Sequence, residues 1–352
     1  MDKKRLIYLS LSLLLLTLAA CKFLLTEQVK SQQPNLPDQA MNPEKANLVA
    51  LFFLRQDHLK NQLRGEIYPI ALFSQGKYVD ASINVRRQTD PPPEIERVRR
   101  KLGLSDFKRF TLLNQGQKLA EFRVNEITSS QFQCSELLTG KGQISGERSL
   151  INIFKTISPR HSSSGSGYIN GKKFDETLKW AIAISDYNQT QAVMPEATQQ
   201  NEARFKQDLL AIAQPLFLKF QPRTQSDQHQ ENAVLEEITI LDLDHDQRPE
   251  VFGKVRQVIK ARTKLEPDRV AYLSLWLTYK NAQPWRIADL TSLQGQASWG
   301  TGYDLVGIAD ITGDGTEEVV IRSSGYESEA FEIYEYRENK LIRVFQGAGF
   351  GC

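Results

Sequence analysis

A chain of 352 residues with 40% apolar side chains can bury a sizeable core and leaves room for two domains. Its 44 basic and 42 acidic residues give a formal charge of +2, but Asp2, Lys3, Lys4 and Arg5 all lie within the first 20 positions. Without that segment, 44 less three and 42 less one leave 41 of each, a balance that speaks against nucleic acid as a partner, because neutralising phosphates takes a clear basic excess.

The chain opens MDKKRLIYLSLSLLLLTLAAC, a basic flank followed by an uncharged run from Leu6 to Ala20 that is short for a bilayer span. This is the pattern of a secretory signal. Its end, Leu18-Ala19-Ala20-Cys21, resembles the lipobox of bacterial lipoproteins. The resemblance implies cleavage before Cys21, lipidation of Cys21, and an extracytoplasmic protein anchored in a bacterial membrane, facing the periplasm or the cell surface. Residues 21–45, polar and interrupted by proline, read as a flexible tether.

From residue 46 the chain reads as folded. The apolar residues Leu48, Val49, Leu51, Phe52, Phe53, Leu54, Leu59 and Leu63 suggest a helix over 46–64, stopped by Gly65. Gln-Gly pairs ending at Gly76 and Gly116 each sit between β-rich arms and predict two hairpins. Between them Ile95, Val98 and Leu102 fall at helical spacing ahead of Gly103. Arg97, Arg99, Arg100 and Lys101 on that helix form either a solvated face or a patch for anionic lipid headgroups. These elements define an N-terminal α+β domain over 46–157. The Ser- and Gly-rich residues 158–173 then read as a linker or exposed loop.

The second domain, 174–352, begins with a buried strand at Trp180 to Ile184. Phe205, Leu209, Ile212 and Leu216 next share one helical face, with Pro215 expected to kink or end that helix. From Ile238 short β runs alternate with turns, among them Asn281-Ala282 and Glu338-Asn339. The fold class is therefore α+β: mostly antiparallel β domains with a few packed helices, the last 115 or so residues forming a single sheet or small sandwich covered by the 201–218 helix.

Two stretches carry the closest approach to chemistry. "LDLDHDQRPEV" places Asp242, Asp244, Asp246 and Glu250 at spacings of two, two and four, and "IADITGDGTEEVV" repeats the spacing with Asp310, Thr312, Asp314 and Glu318. In each, an apolar run leads in and a Val-bearing strand leads out. A hard cation such as Ca2+ needs six to eight oxygens, and a wound loop that turns alternate side chains inward can supply them, with the carbonyls of Arg248 and Thr316 completing each set. The loops resemble the FG-GAP repeats of integrin-type propellers, whose Asp-rich hairpin loops bind calcium. Two units fall short of a complete propeller, so the adhesive function of that family does not transfer. Gly315 relieves the sharp bend in the second loop whereas Gln247 stands in the first, which favours the second as the cation site. The alternative is that both are acidic hairpin turns.

The remaining chemistry is thin. His58, His161, His229 and His245 lie far apart and offer no zinc-hydrolase pairing, and neither a Gly-x-Ser-x-Gly elbow nor a dinucleotide fingerprint is present. The expected function is thus a lipid-anchored cell-envelope binding or assembly module with no enzymatic activity. It would be calcium-stabilised and partnered by an envelope protein or polysaccharide. The alternative is an envelope hydrolase, for example carbohydrate-directed, with a carboxylate pair that sequence cannot reveal. With Cys21 lipidated, Cys134 and Cys352 remain in an oxidising compartment and are expected either to pair or to stand as a buried thiol and a free terminal one.

Overall fold

The computed structural model describes residues 47–85, 108–114, 116–132, 135–145, 149–157, 162–169, 172–185, 187, 201–219, 232–259, 269–280, 283–287, 293–295, 302–325 and 328–351. The expected signal segment, Cys21, the expected tether, the residues 93–102 read as a basic helix, Cys134 and Cys352 lie outside the described residues. Among the described residues every strand pairing is antiparallel, and the helices are two.

Eight strands build the first sheet: β1 (Asn47–Asp57), β2 (Gln62–Ser74), β3 (Lys77–Asp80), β4 (Arg109–Asn114), β5 (Gln117–Phe132), β6 (Ser135–Ser145), β7 (Ser162–Ile169) and β8 (Lys172–Ser185). The order β1-β2-β6-β5-β4-β8 returns to β1 through nine β1–β8 residue pairs, Val49↔Ile184 to Asp57↔Glu176, so six strands close into a barrel. β3 pairs with β2, and β7 pairs with the first half of β8. Closure gives each of those six strands a neighbour on both sides, and β3 and β7 cover stretches of β2 and β8 that it leaves free.

The helix expected over 46–64 is instead β1, a turn and the start of β2. The reason is two-sided burial. Leu48, Ala50, Phe52 and Leu54 face the barrel interior with Phe110, Leu112, Phe122 and Ala183, while Val49, Leu51 and Phe53 pack outward against another layer. A strand covered on both faces loses its polar alternation and reads as one apolar run, which periodicity cannot distinguish from a buried helix. Gly65 does not stop a helix; it pairs with Leu54, and a side chain there would meet the Phe52 ring.

The expected boundary also moves. Within the expected linker, Ser162–Ile169 forms β7, and the Trp180–Ile184 strand is the heart of β8, so the first body continues to Ser185. The Gln75-Gly76 turn joins β2 to β3 with φ of 51° and 71°, the left-handed pair that suits a two-residue hairpin. Helix α1 (Leu150–Thr156) packs Ile153 into the interior cluster, and Lys179 Nζ donates to the carbonyls of Phe154 and Ile157 at 2.7 Å each, satisfying its last turn.

The rest of the chain stacks three further layers. Helix α2 (Glu202–Lys219) precedes a five-stranded sheet of β9 (Val234–Leu241), β10 (Glu250–Ile259), β11 (Arg269–Lys280), β12 (Gln283–Ile287) and β13 (Leu293–Gly295). A four-stranded meander follows, β14 (Gly302–Ala309), β15 (Glu318–Gly325), β16 (Ser328–Arg337) and β17 (Lys340–Gly351). α2 runs on through Pro215 to Lys219 instead of ending there.

Strand alternation assigns the faces. On β11, Ala271, Leu273, Leu275 and Leu277 meet Phe205, Leu209, Ala213 and Phe217 of α2, and Trp276 points the other way. There it joins Leu241, Leu243 and Phe252 against Ile308, Val319, Tyr334 and Tyr336 of the meander. The meander's opposite face, with Val320, Phe331, Ile333 and Phe345, packs on the outside of the barrel. Barrel, meander, sheet and helix are thus consecutive layers, and the C-terminal portion is a sandwich with α2 on its outer face.

Gly253 sits on β10 under α2, where an added Cβ would lie 2.6 Å from a Leu209 methyl and 3.1 Å from its branch carbon. Gly253→Ala is therefore expected to lower unfolding stability by about 1–3 kcal/mol through overpacking. Chemical denaturation of the two proteins checks it; equal midpoints would mean that α2 can slide away freely.

Candidate functional site

The two acidic loops occupy equivalent places in two hairpins. Asp242 follows β9 and Glu250 opens β10, with Leu241 paired to Glu250; Asp310 follows β14 and Glu318 opens β15, with Ala309 paired to Glu318. Both loops bend through left-handed residues at matching positions, His245 (φ 57°) and Gln247 (φ 66°) in the first, Gly313 (φ 81°) and Gly315 (φ 91°) in the second. The first loop holds with side-chain-bearing residues a conformation that costs an L-residue roughly 1–2 kcal/mol and a glycine almost nothing. The loops also touch: Glu317 N donates to Leu243 O at 2.8 Å, and His245 Nε2 stands 3.8 Å from Glu317 Oε1.

In the first loop Asp242 Oδ2 accepts the Gln247 amide at 3.1 Å, and Glu250 Oε2 accepts the Leu243 amide at 2.9 Å. Glu250 Oε1 accepts hydroxyls from Thr278 (3.2 Å) and, across the sandwich, Tyr336 (3.1 Å). Among the described residues, Asp242, Asp244 and Glu250 are the one set of three metal-ligating side chains with ligand atoms all within 4.8 Å of one another. Asp246 stands apart from them, accepting the Arg248 amide at 2.8 Å and facing the Arg248 guanidinium.

In the second loop Asp310 accepts amides from Gly313 (2.7 Å), Asp314 (3.1 Å) and Gly315 (3.1 Å). Glu318 accepts the Ile311 amide at 2.6 Å and the Thr312 amide and hydroxyl at 3.2 Å each. Asp314 accepts the Thr316 amide at 2.9 Å. Gly315 favours this loop as the cation site, whereas the carboxylates gather in the other.

Burial sets the electrostatics. Desolvation pushes Glu250 up to about 8, with Asp244 adding to the rise, and pushes Glu317 up to about 7 with Asp310 beside it. Glu318 is driven well above the ordinary carboxylate range, again by desolvation first, and Asp242, Asp244 and Asp310 are raised for the same leading reason. A group of carboxylates that water no longer stabilises is one that a cation can stabilise.

Glu317, Thr278 and Tyr336 join the predicted residues at the site. Glu317 stands beside a proposed ligand in "TEEVV", where its apolar neighbours hinted at burial. Nothing in the chain signals that Tyr336, 86 residues from Glu250, meets its carboxylate. No described protein family, curated protein or solved structure matches this chain.

Proposed function

We propose that this chain is a lipid-anchored, extracytoplasmic binding or assembly module of the bacterial cell envelope, stabilised by calcium. The convergence of Asp242, Asp244 and Glu250 at the rim of the sandwich is the observation that carries the reading. A hard cation with oxygen ligands fits three carboxylates, and a millimolar extracellular pool can fill a site of modest affinity. The lipobox-like Leu18-Ala19-Ala20-Cys21 supplies the anchor, residues 21–45 the tether, and the layered β body the rigid surface offered to an envelope protein or polysaccharide.

Two measurements test this. Calcium at a hundred times its Kd stabilises the folded state by about 2.7 kcal/mol, which in a body of this size raises the melting temperature by roughly 5 °C. A melting curve indifferent to calcium removes the cation from the proposal. In detergent phase partitioning the wild type is expected in the detergent phase and Cys21→Ser in water; equal partitioning removes the anchor. Cross-linking of the lipidated protein in its own envelope then identifies the partner.

A further inference from the structure

We infer that the mouth of the barrel beside α1 binds the acyl chain of a fatty acid, with Arg64 and Lys155 taking its carboxylate. The site is independent of the acidic loops. Asn47, at the start of β1, donates to the carbonyl of Ile311 at 2.6 Å, whereas the mouth lies at the far end of that strand, where β1 turns into β2.

The barrel wall is incomplete at this end. β2 pairs with β1 from Gln62 onward, and β6 pairs with β5 as far as Ser145. β2 and β6 pair with each other only at Glu66↔Lys141 and Ile67↔Gly140. Among the described residues nothing pairs with the facing edges of 62–65 and 142–145. Four residues of strand on each lip make a slot about 13 Å long.

Helix α1 crosses this end without sealing it. It follows β6, packs against β2 and reaches Lys179 of β8, whose Nζ holds its last carbonyls. Ile153 and Ile157 of this segment are fully buried in the interior cluster. Leu150 and Phe154 on the helix, and Leu63, Val124 and Ile144 on the wall, belong to the same cluster but stay partly exposed. Ile151 is 44% exposed. Apolar side chains that gather at an opening between polar lips are what a groove for an apolar ligand presents. Behind them Leu54, Ile67 and Phe122 are buried in the same cluster, so the tail of a chain lying in the slot has hydrocarbon on its inner side.

Charge selects the occupant. Leu63 belongs to the interior, so strand alternation puts Arg64 on the outer side of the β2 lip, where it is exposed and donates to Gln62 Oε1. Lys155 is exposed in the last turn of α1. Among the described residues neither has an acidic partner. Lys141, on the other lip, stands opposite Glu66 on one side and Glu126 on the other, which offset its charge. An apolar slot bordered by two uncompensated cations suits a single hydrocarbon chain ended by an anion.

A diazirine-bearing fatty acid, photo-crosslinked to the full lipidated chain in its own membranes, tests the site, with the labelled peptides mapped by mass spectrometry. The label is expected on peptides that carry Leu63, Ile144 or Phe154, and excess oleate is expected to remove it. Arg64→Glu combined with Lys155→Glu, both at exposed positions that leave the fold intact, should lower the labelling at least about fivefold through the loss of two exposed ion pairs. Ile144→Trp fills the slot and should abolish the labelling in protein whose melting curve shows that it has folded. Label spread over the surface, label that oleate does not displace, or labelling unchanged by the charge reversal overturns the inference. Preferential labelling of the same peptides by a diazirine phospholipid identifies a membrane lipid as the occupant and overturns the fatty acid.

Discussion

Trp276→Ala is expected to lower the unfolding free energy by about 3–5 kcal/mol, among the largest effects a single substitution in this chain can have. Trp276 is fully buried on the β11 face that meets the meander, with its ring 5.2 Å from that of Phe252 and with Leu241, Leu243, Ile308 and Tyr336 in the same cluster. Its removal leaves a hole between two sheets, each held on its far side by another layer, so neither can collapse to fill it. The cost is then transfer free energy plus an unfilled cavity. The same cluster sets the spacing at which Tyr336 reaches Glu250 and Glu317 reaches Leu243, so the calcium-induced rise in melting temperature should shrink as well. Ile342→Ala serves as the comparison: that side chain is 44% exposed, and its loss should cost well under half as much. Urea denaturation of the three proteins, with melting repeated in calcium, provides the check. A Trp276→Ala midpoint indistinguishable from that of Ile342→Ala would show that the two sheets do not depend on one another.

The second large effect is a dependence on pH in the absence of cations. Glu250 is held neutral by burial up to about 8 in the folded chain, against an ordinary value of 4.5 when unfolded. Between those values the folded state holds a proton that the unfolded state has released, so stability falls as pH rises, by about 1.4 kcal/mol per pH unit for one such group. The contribution is fully present below about 4.5 and is lost by about 8, above which the slope vanishes. Glu317, pushed up to about 7, adds to the slope over the lower part of the window. Glu250→Gln removes the proton and retains the shape. In chelator, the difference in unfolding free energy between wild type and Glu250→Gln should therefore move against the wild type steadily from pH 5 to pH 8. Comparing slopes instead of absolute values discounts any offset caused by the amide facing Leu243. Parallel curves across that range would mean that Glu250 is ionised in the folded state.

Features governed by local chemistry were legible along the chain. Gln75-Gly76 and Glu338-Asn339 adopt left-handed pairs at the tips of their hairpins, which Gly76 and Asn339 made legible, and the apolar face of Phe205, Leu209 and Leu216 marked α2. The spacing of Asp242, Asp244 and Glu250, and its repeat from Asp310, marked the two loops before any fold was known. The rest depends on what lies opposite each segment once the chain has folded. β1 is a strand since the barrel interior covers one of its faces and the meander the other, and a segment buried all round carries no periodic signal. The Ser- and Gly-rich 162–169 is a strand because β8 offers it a free edge, which composition does not record. The two loops differ for the same kind of reason. Glu250 faces into the sandwich, where Thr278 and Tyr336 hold it with hydroxyls, and Asp242 keeps a bare buried oxygen. The second loop turns its amides onto Asp310 and Glu318. Two nearly identical acidic spacings thus acquire different chemistry from partners that are distant along the chain or that only the folded backbone can aim.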